Sequence, residues 1–124
     1  MMLRFGIAAF LIAHGVVHVF VWVMKAPPEV KQSFDAFHSW ILGDARGFAT
    51  PVALATMGVL ITAGGMLLFH SGIWRPVAVA GLVASLVLDV LFFNPWLSFI
   101  AVVNTALVYG IVAKHWPAVT TIGS

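Results

Sequence analysis

From Leu3 to Met24 the chain carries nothing polar except Arg4, His14 and His18. As a helix this run rises about 33 Å at ~1.5 Å per residue, enough to cross a bilayer core. It is apolar all round and has no polar face to turn to water, so it reads as a transmembrane span. Three further apolar runs cover about 51–70, 74–93 and 96–116. Thr50 and Pro51 suit the N-cap and first position of the second span, and Asn94 and Pro95 suit those of the fourth. Pro27-Pro28 close the first span and Pro117 the last, because proline lacks a donor and clashes with the preceding turn.

The expected fold is therefore all-α: one membrane domain over 1–124, an integral membrane four-helix bundle. Composition agrees. Only 8% of residues are charged, against the roughly 25% typical of soluble domains, and the mean hydropathy is +1.09. The opening Met-Met-Leu-Arg resembles a signal peptide. The run behind it is longer than the ~7–15 residues of such a segment and no small-x-small cleavage site follows, so a retained span is expected. Ala9 with Ala13, and Gly58 with Gly64 and Gly65, are expected close-packing positions between helices.

Residues 25–50 form the one polar stretch and hold six of the ten charges. Within them Val30, Phe34, Phe37, Trp40 and Ile41 recur at three- and four-residue steps. This spacing predicts a short interfacial amphipathic helix within 29–42, stopped by Gly43. His38 and Trp40 on it would form a lid over the bundle.

Polar residues inside the spans are costly and mark function by default. His14 and His18 are four apart and share a helix face. Asp89 is the only acid within an apolar run, and Gly81, Ser85 and Asp89 step by four along one face. Counted inward from the long-loop side at ~1.5 Å per residue, His18, Asp89 and Thr56 reach one level, while His14 and Asn104 lie deeper, near the midplane. The expected ligand-binding set is His14, His18, Asp89, Asn104 and Thr56. His18 and Asp89 are expected within hydrogen-bonding reach, directly or through one water or metal.

Several chemistries suit such a layer. A quinone or other lipid-soluble ligand would be anchored by His18, Asp89 and Asn104, with Phe20, Phe92, Phe93 and Phe99 as walls. A transition metal would take His14, His18 and Asp89. The spacing of the two histidines is similar to that of a zinc-protease helix, but Gly15 stands where that motif needs a glutamate base, which argues against hydrolysis. A haem or chlorin would use one axial histidine. His–Asp could relay protons, and a His–Asp bond could equally serve only to lock two helices together. The absence of cysteine excludes thiolate metal sites and cysteine nucleophiles. No basic run or nucleic-acid motif is present, so nucleic acid is not an expected partner. The residues alone identify no reaction.

Arg4 followed by Phe5-Gly6-Ile7-Ala8, then Phe10-Leu11-Ile12-Ala13-His14-Gly15, resembles the first helix of the DoxX-like family of small four-span bacterial membrane proteins. Gly58 with Gly64-Gly65 is similar to that family's glycine-rich second helix. The resemblance implies a four-span plan and a link to quinone-dependent redox complexes. It carries over no catalytic residue. The bilayer, a membrane redox complex or a second copy of the chain are the expected partners.

Four spans put both termini on one side. Trp74 and Trp116 would mark that interface, and Trp22, Trp40 and Trp96 the other. Lysine and arginine tie at three per side: Arg4, Arg75 and Lys114 against Lys25, Lys31 and Arg46. Loop length breaks the tie, since the long loop is the more easily translocated, and the termini are expected in the cytoplasm.

Overall fold

The computed structural model describes residues 2–23, 37–93, 95 and 98–118. It contains four helices, α1 (Met2–Trp22), α2 (Arg46–Leu68), α3 (Trp74–Leu91) and α4 (Ser98–Ala113), and two short strands, β1 (His38–Ser39) and β2 (Gly43–Asp44). Three of the helices, α1 to α3, are long and apolar enough to cross a membrane. The fourth, with 16 residues, rises only about 24 Å, short of a core of about 30 Å. Asn94 and Trp96, expected at its start, lie outside the described residues.

Successive helices pack on each other, α1 on α2, α2 on α3 and α3 on α4. The contact face of α1 runs Arg4, Ala8, Leu11, His14, Gly15, His18, Trp22. Ala9 and Ala13, the expected close-packing pair, are exposed on other faces. Close approach instead occurs at Gly15, where an added Cβ would sit 3.0 Å from the Met57 carbonyl oxygen, and at Gly64, 3.0 Å from that of Ala8. Gly58 and Gly65 have open space where a Cβ would go, so only Gly64 of the expected three serves the helix contact.

The start of α2 also differs from expectation. The helix begins at Arg46, and Pro51 is its sixth residue. The Phe48 and Ala49 amides bond the Ala45 carbonyl at 3.0 and 2.8 Å, so a turn is closed before the proline removes a donor. Thr50, freed from capping α2, donates to the Trp22 carbonyl at 3.0 Å, one of the open carbonyls at the end of α1.

The expected interfacial helix is not found over 37–44, where β1 and β2 pair antiparallel, His38 opposite Asp44. Two features favour the hairpin. The Ser39 hydroxyl accepts from the Ile41 and Leu42 amides at 3.2 and 3.1 Å, offering the backbone an alternative to helical bonds. Gly43 adopts φ +72°, which glycine takes without steric cost. Residues 29–36 of that expected helix lie outside the described residues.

Arginines tie the helix ends on the termini side. Arg4 bonds the His70 ring, 2.9 Å to Nδ1, joining the start of α1 to the end of α2. His70 takes φ +58°; the Ser71 amide returns to the Met66 carbonyl at 2.8 Å and the His70 amide to that of Leu67 at 3.3 Å, a Schellman closure of α2. Arg75 donates to the Pro117 carbonyl at 2.5 Å, joining the start of α3 to the chain beyond α4. Two apolar clusters fill the interior. Leu11, Leu60, Leu67, Trp74 and Leu82 anchor the one nearer the termini, and Trp22, Ala49, Ala53, Leu88 and Phe92 the one nearer the hairpin. A polar layer lies between them.

Candidate functional site

Two imidazoles enter this layer from α1 because residues four apart stack on one helix face. They belong to an aromatic ladder. Phe10 stacks on His14 with ring centroids 5.4 Å apart, His14 meets His18 edge-on at 5.1 Å, and His18 stacks on Trp22 at 5.4 Å. Ser85 and Asp89 enter from α3, and Asn104 from α4. All five polar residues are buried, none above 5% exposure.

The Ser85 hydroxyl holds the layer together. Oγ lies 2.9 Å from His18 Nε2, 3.3 Å from His14 Nε2 and 2.7 Å from Asn104 Nδ2. A hydroxyl has one proton to give and two lone pairs, so these three contacts are its full complement. The donors follow in order. His18 Nδ1 lies 2.9 Å from the His14 carbonyl oxygen and must donate there, which leaves Nε2 to accept the serine proton. Asn104 donates one amide hydrogen to Ser85 and the other to Asp89 Oδ2, at 3.0 Å. His14 Nε2 is then a donor to the second lone pair of Ser85. The two histidines are held as opposite tautomers.

Four of the five expected ligand-binding residues, His14, His18, Asp89 and Asn104, come together in this network. The expected direct His18–Asp89 link does not form: His18 takes Ser85 as its side-chain partner, and Asp89 takes Asn104. Thr56 is buried, but its hydroxyl bonds the Val52 carbonyl of its own helix at 2.8 Å, which spends the polar group locally. Among the described residues no three His, Asp or Glu side chains converge to hold a metal ion, and both nitrogens of His18 are engaged. The donor set fits a hydrogen-bonded layer better than a metal centre. Ser85 is the residue that the sequence reading passed over. Its signal was present, one helical turn before Asp89 on the same face.

Of the expected lid, Trp40 touches α3 and His38 is exposed. Trp40 Nε1 donates to the Val90 carbonyl at 2.7 Å and Ser39 Oγ to that of Leu91 at 2.5 Å. The hairpin thus caps the last turn of α3, directly after Asp89. The expected phenylalanine walls are absent on this side: Phe20, Phe93 and Phe99 are 59–69% exposed, and Phe92 is buried against Trp22.

Open space adjoins the layer on its other side. A cleft of about 210 Å³ runs where α1 faces α4 across α3. Its lower end is formed by Leu3, Trp74, Ile111 and Trp116, its middle by Gly6, Ile7 and Leu107, and its upper end by Phe10, Leu82 and Val103. Each upper residue adjoins a member of the network. Phe10 stacks on His14, Leu82 is a turn below Ser85, and Val103 precedes Asn104. The cleft is smaller than the roughly 300–1,000 Å³ of drug-sized pockets. It suits a single tail, not a haem or chlorin macrocycle.

Ser85→Ala removes three hydrogen bonds, each worth about 0.6 kcal/mol on average among helices in a membrane. It should destabilise the protein by about 2 kcal/mol in reversible unfolding in micelles. In a double-mutant cycle His18→Ala and Ser85→Ala should couple by about 0.5–3 kcal/mol, whereas His18→Ala and Thr56→Ala should add within about 0.5 kcal/mol. Equal coupling in the two cycles would show that Ser85 is not the hub.

Comparison of the chain with family models, with curated proteins and with solved structures finds no match in any of the three.

Proposed function

We propose that the chain is an integral membrane four-helix bundle of the cell membrane that binds a membrane-soluble amphiphile, quinone- or lipid-like, in the α1–α3–α4 cleft. The tail occupies the apolar cleft and the head group meets the His14–Ser85–Asn104 edge of the polar layer. The observation that carries this reading is the continuity of cleft and layer at Phe10, which lines the one and stacks on the other. The resemblance to DoxX-like proteins supports a setting in which the chain is an accessory subunit of a membrane redox complex. In this reading α4, shorter than a full span, crosses with the help of flanking residues and local thinning of the bilayer.

A second reading has its own support. Ser85 joins α1, α3 and α4 through one hydroxyl, and such a network can serve helix packing alone. Titration with decylubiquinone separates the two, read by the emission of Trp74 and Trp116, which line the cleft. Ligand binding predicts saturable quenching. Gly6→Phe should weaken it by about tenfold, because Gly6 lines the cleft with open space at its Cβ position. Non-saturating quenching that Gly6→Phe leaves unchanged would favour the structural reading.

The proposed orientation places both termini in the cytoplasm, as loop length implies. A cysteine introduced at Gln32 should react with an impermeant maleimide in intact cells, and one at Met2 should not. The reverse pattern would invert the topology.

A further inference from the structure

With Asp89 as the carboxylate, the donors of the polar layer are fully committed, and its spare atoms are all but one acceptors. Asn104 spends both amide hydrogens, on Ser85 and on Asp89 Oδ2. The Ser85 proton goes to His18 Nε2, and His18 Nδ1 serves the His14 carbonyl. His14 Nδ1 is left as an acceptor, and two further acceptors, Asp89 Oδ1 and Asn104 Oδ1, are fully buried without a hydrogen-bond partner. Asp89 and Asn104 are 2% and 0% exposed, and the Asn104–Asp89 bond holds the two side chains together. The spare donor near the layer, the Trp22 indole N–H, belongs to the ring stacked beyond His18.

A buried acceptor without a donor costs about 1–3 kcal/mol. A head group that can only accept, such as a carbonyl or an ether, does nothing for it. A hydroxyl does. We infer, on the basis of the cleft-binding reading above, that the site selects amphiphiles whose head group donates a hydrogen bond, a phenol or quinol hydroxyl, over those whose head group only accepts. The hydroxyl enters at the upper end of the cleft, beside Val103, and donates to the free acceptors of the Asn104–Asp89 pair.

Two probes differing in one methyl group isolate this chemistry without redox change: 4-decylphenol and 4-decylanisole, titrated calorimetrically into the protein in detergent micelles. The phenol should bind roughly tenfold more tightly, the worth of one net hydrogen bond. Asp89→Asn then tests the cause. Its new amide can donate to Asn104 Oδ1 while accepting from Asn104 Nδ2, so the shortage of donors ends inside the protein. In that variant, with helical content and monodispersity checked, the two affinities should converge to within about threefold. Equal affinity for both probes in the wild type would overturn the inference while leaving the cleft reading intact. A phenol preference that persists undiminished in folded Asp89→Asn would also overturn it. Binding of neither probe would overturn the cleft reading and the inference with it.

Discussion

One hydroxyl determines how three helices meet. Ser85 both donates and accepts through one oxygen, so it can stand between two imidazoles and an amide and satisfy part of each. For buried groups this matters more than the strength of any single bond, because an unpaired polar group out of reach of solvent costs free energy. The His14 carbonyl fixes the tautomer of His18; the hydroxyl, having given its proton to that ring, then fixes the tautomer of His14 and holds one of the two amide hydrogens of Asn104. The bare methyl of alanine could do none of this, and a larger side chain would push α1 and α4 away from α3.

The polar layer stands between two apolar clusters, and the ends of the helices are tied independently of it. Arg4 with His70 and Arg75 with Pro117 close the termini side. Thr50 with Trp22, and the hairpin on the carbonyls of Val90 and Leu91, close the other. These ties leave one unequal seam. The fourth helix buries only Asn104 and Ile111 and packs chiefly on α3, so the space between it and α1 stays open as the cleft. The same helix whose asparagine completes the polar layer leaves the cleft beside it unfilled.

Much of this was legible in the chain, for a physical reason. Depth along a helix is additive at ~1.5 Å per residue, so counting from span ends brought His14, His18, Asp89 and Asn104 to neighbouring levels. Azimuth is not additive. It depends on helix crossing and on which faces come close, and that is where the reading failed: Ala9 and Ala13 face outward, Gly15 and Gly64 make the contact, and His18 reaches Ser85 instead of Asp89. Ser85 is visible in the sequence only as a step between Gly81 and Asp89, whereas its chemistry, a donor and acceptor at the level of two imidazoles, is the informative property. The hairpin was missed because Phe37, Trp40 and Ile41 fit a helical period, while the local bonds of Ser39 and the left-handed Gly43 outweigh that pattern. At Thr50-Pro51 the local cap signal was sound chemistry, but the threonine serves the end of α1 instead.

A single serine proton, given to His18, sets the donor order of the rest of the layer. Solid-state nitrogen NMR of histidine-labelled protein in lipid reads this directly, since the two ring nitrogens of each tautomer resonate apart. The structure requires His18 to carry its hydrogen on Nδ1 and His14 to carry its hydrogen on Nε2. Finding both rings in the same tautomer, or finding either signal unchanged when Ser85 is replaced by alanine, would show that the serine does not order the layer.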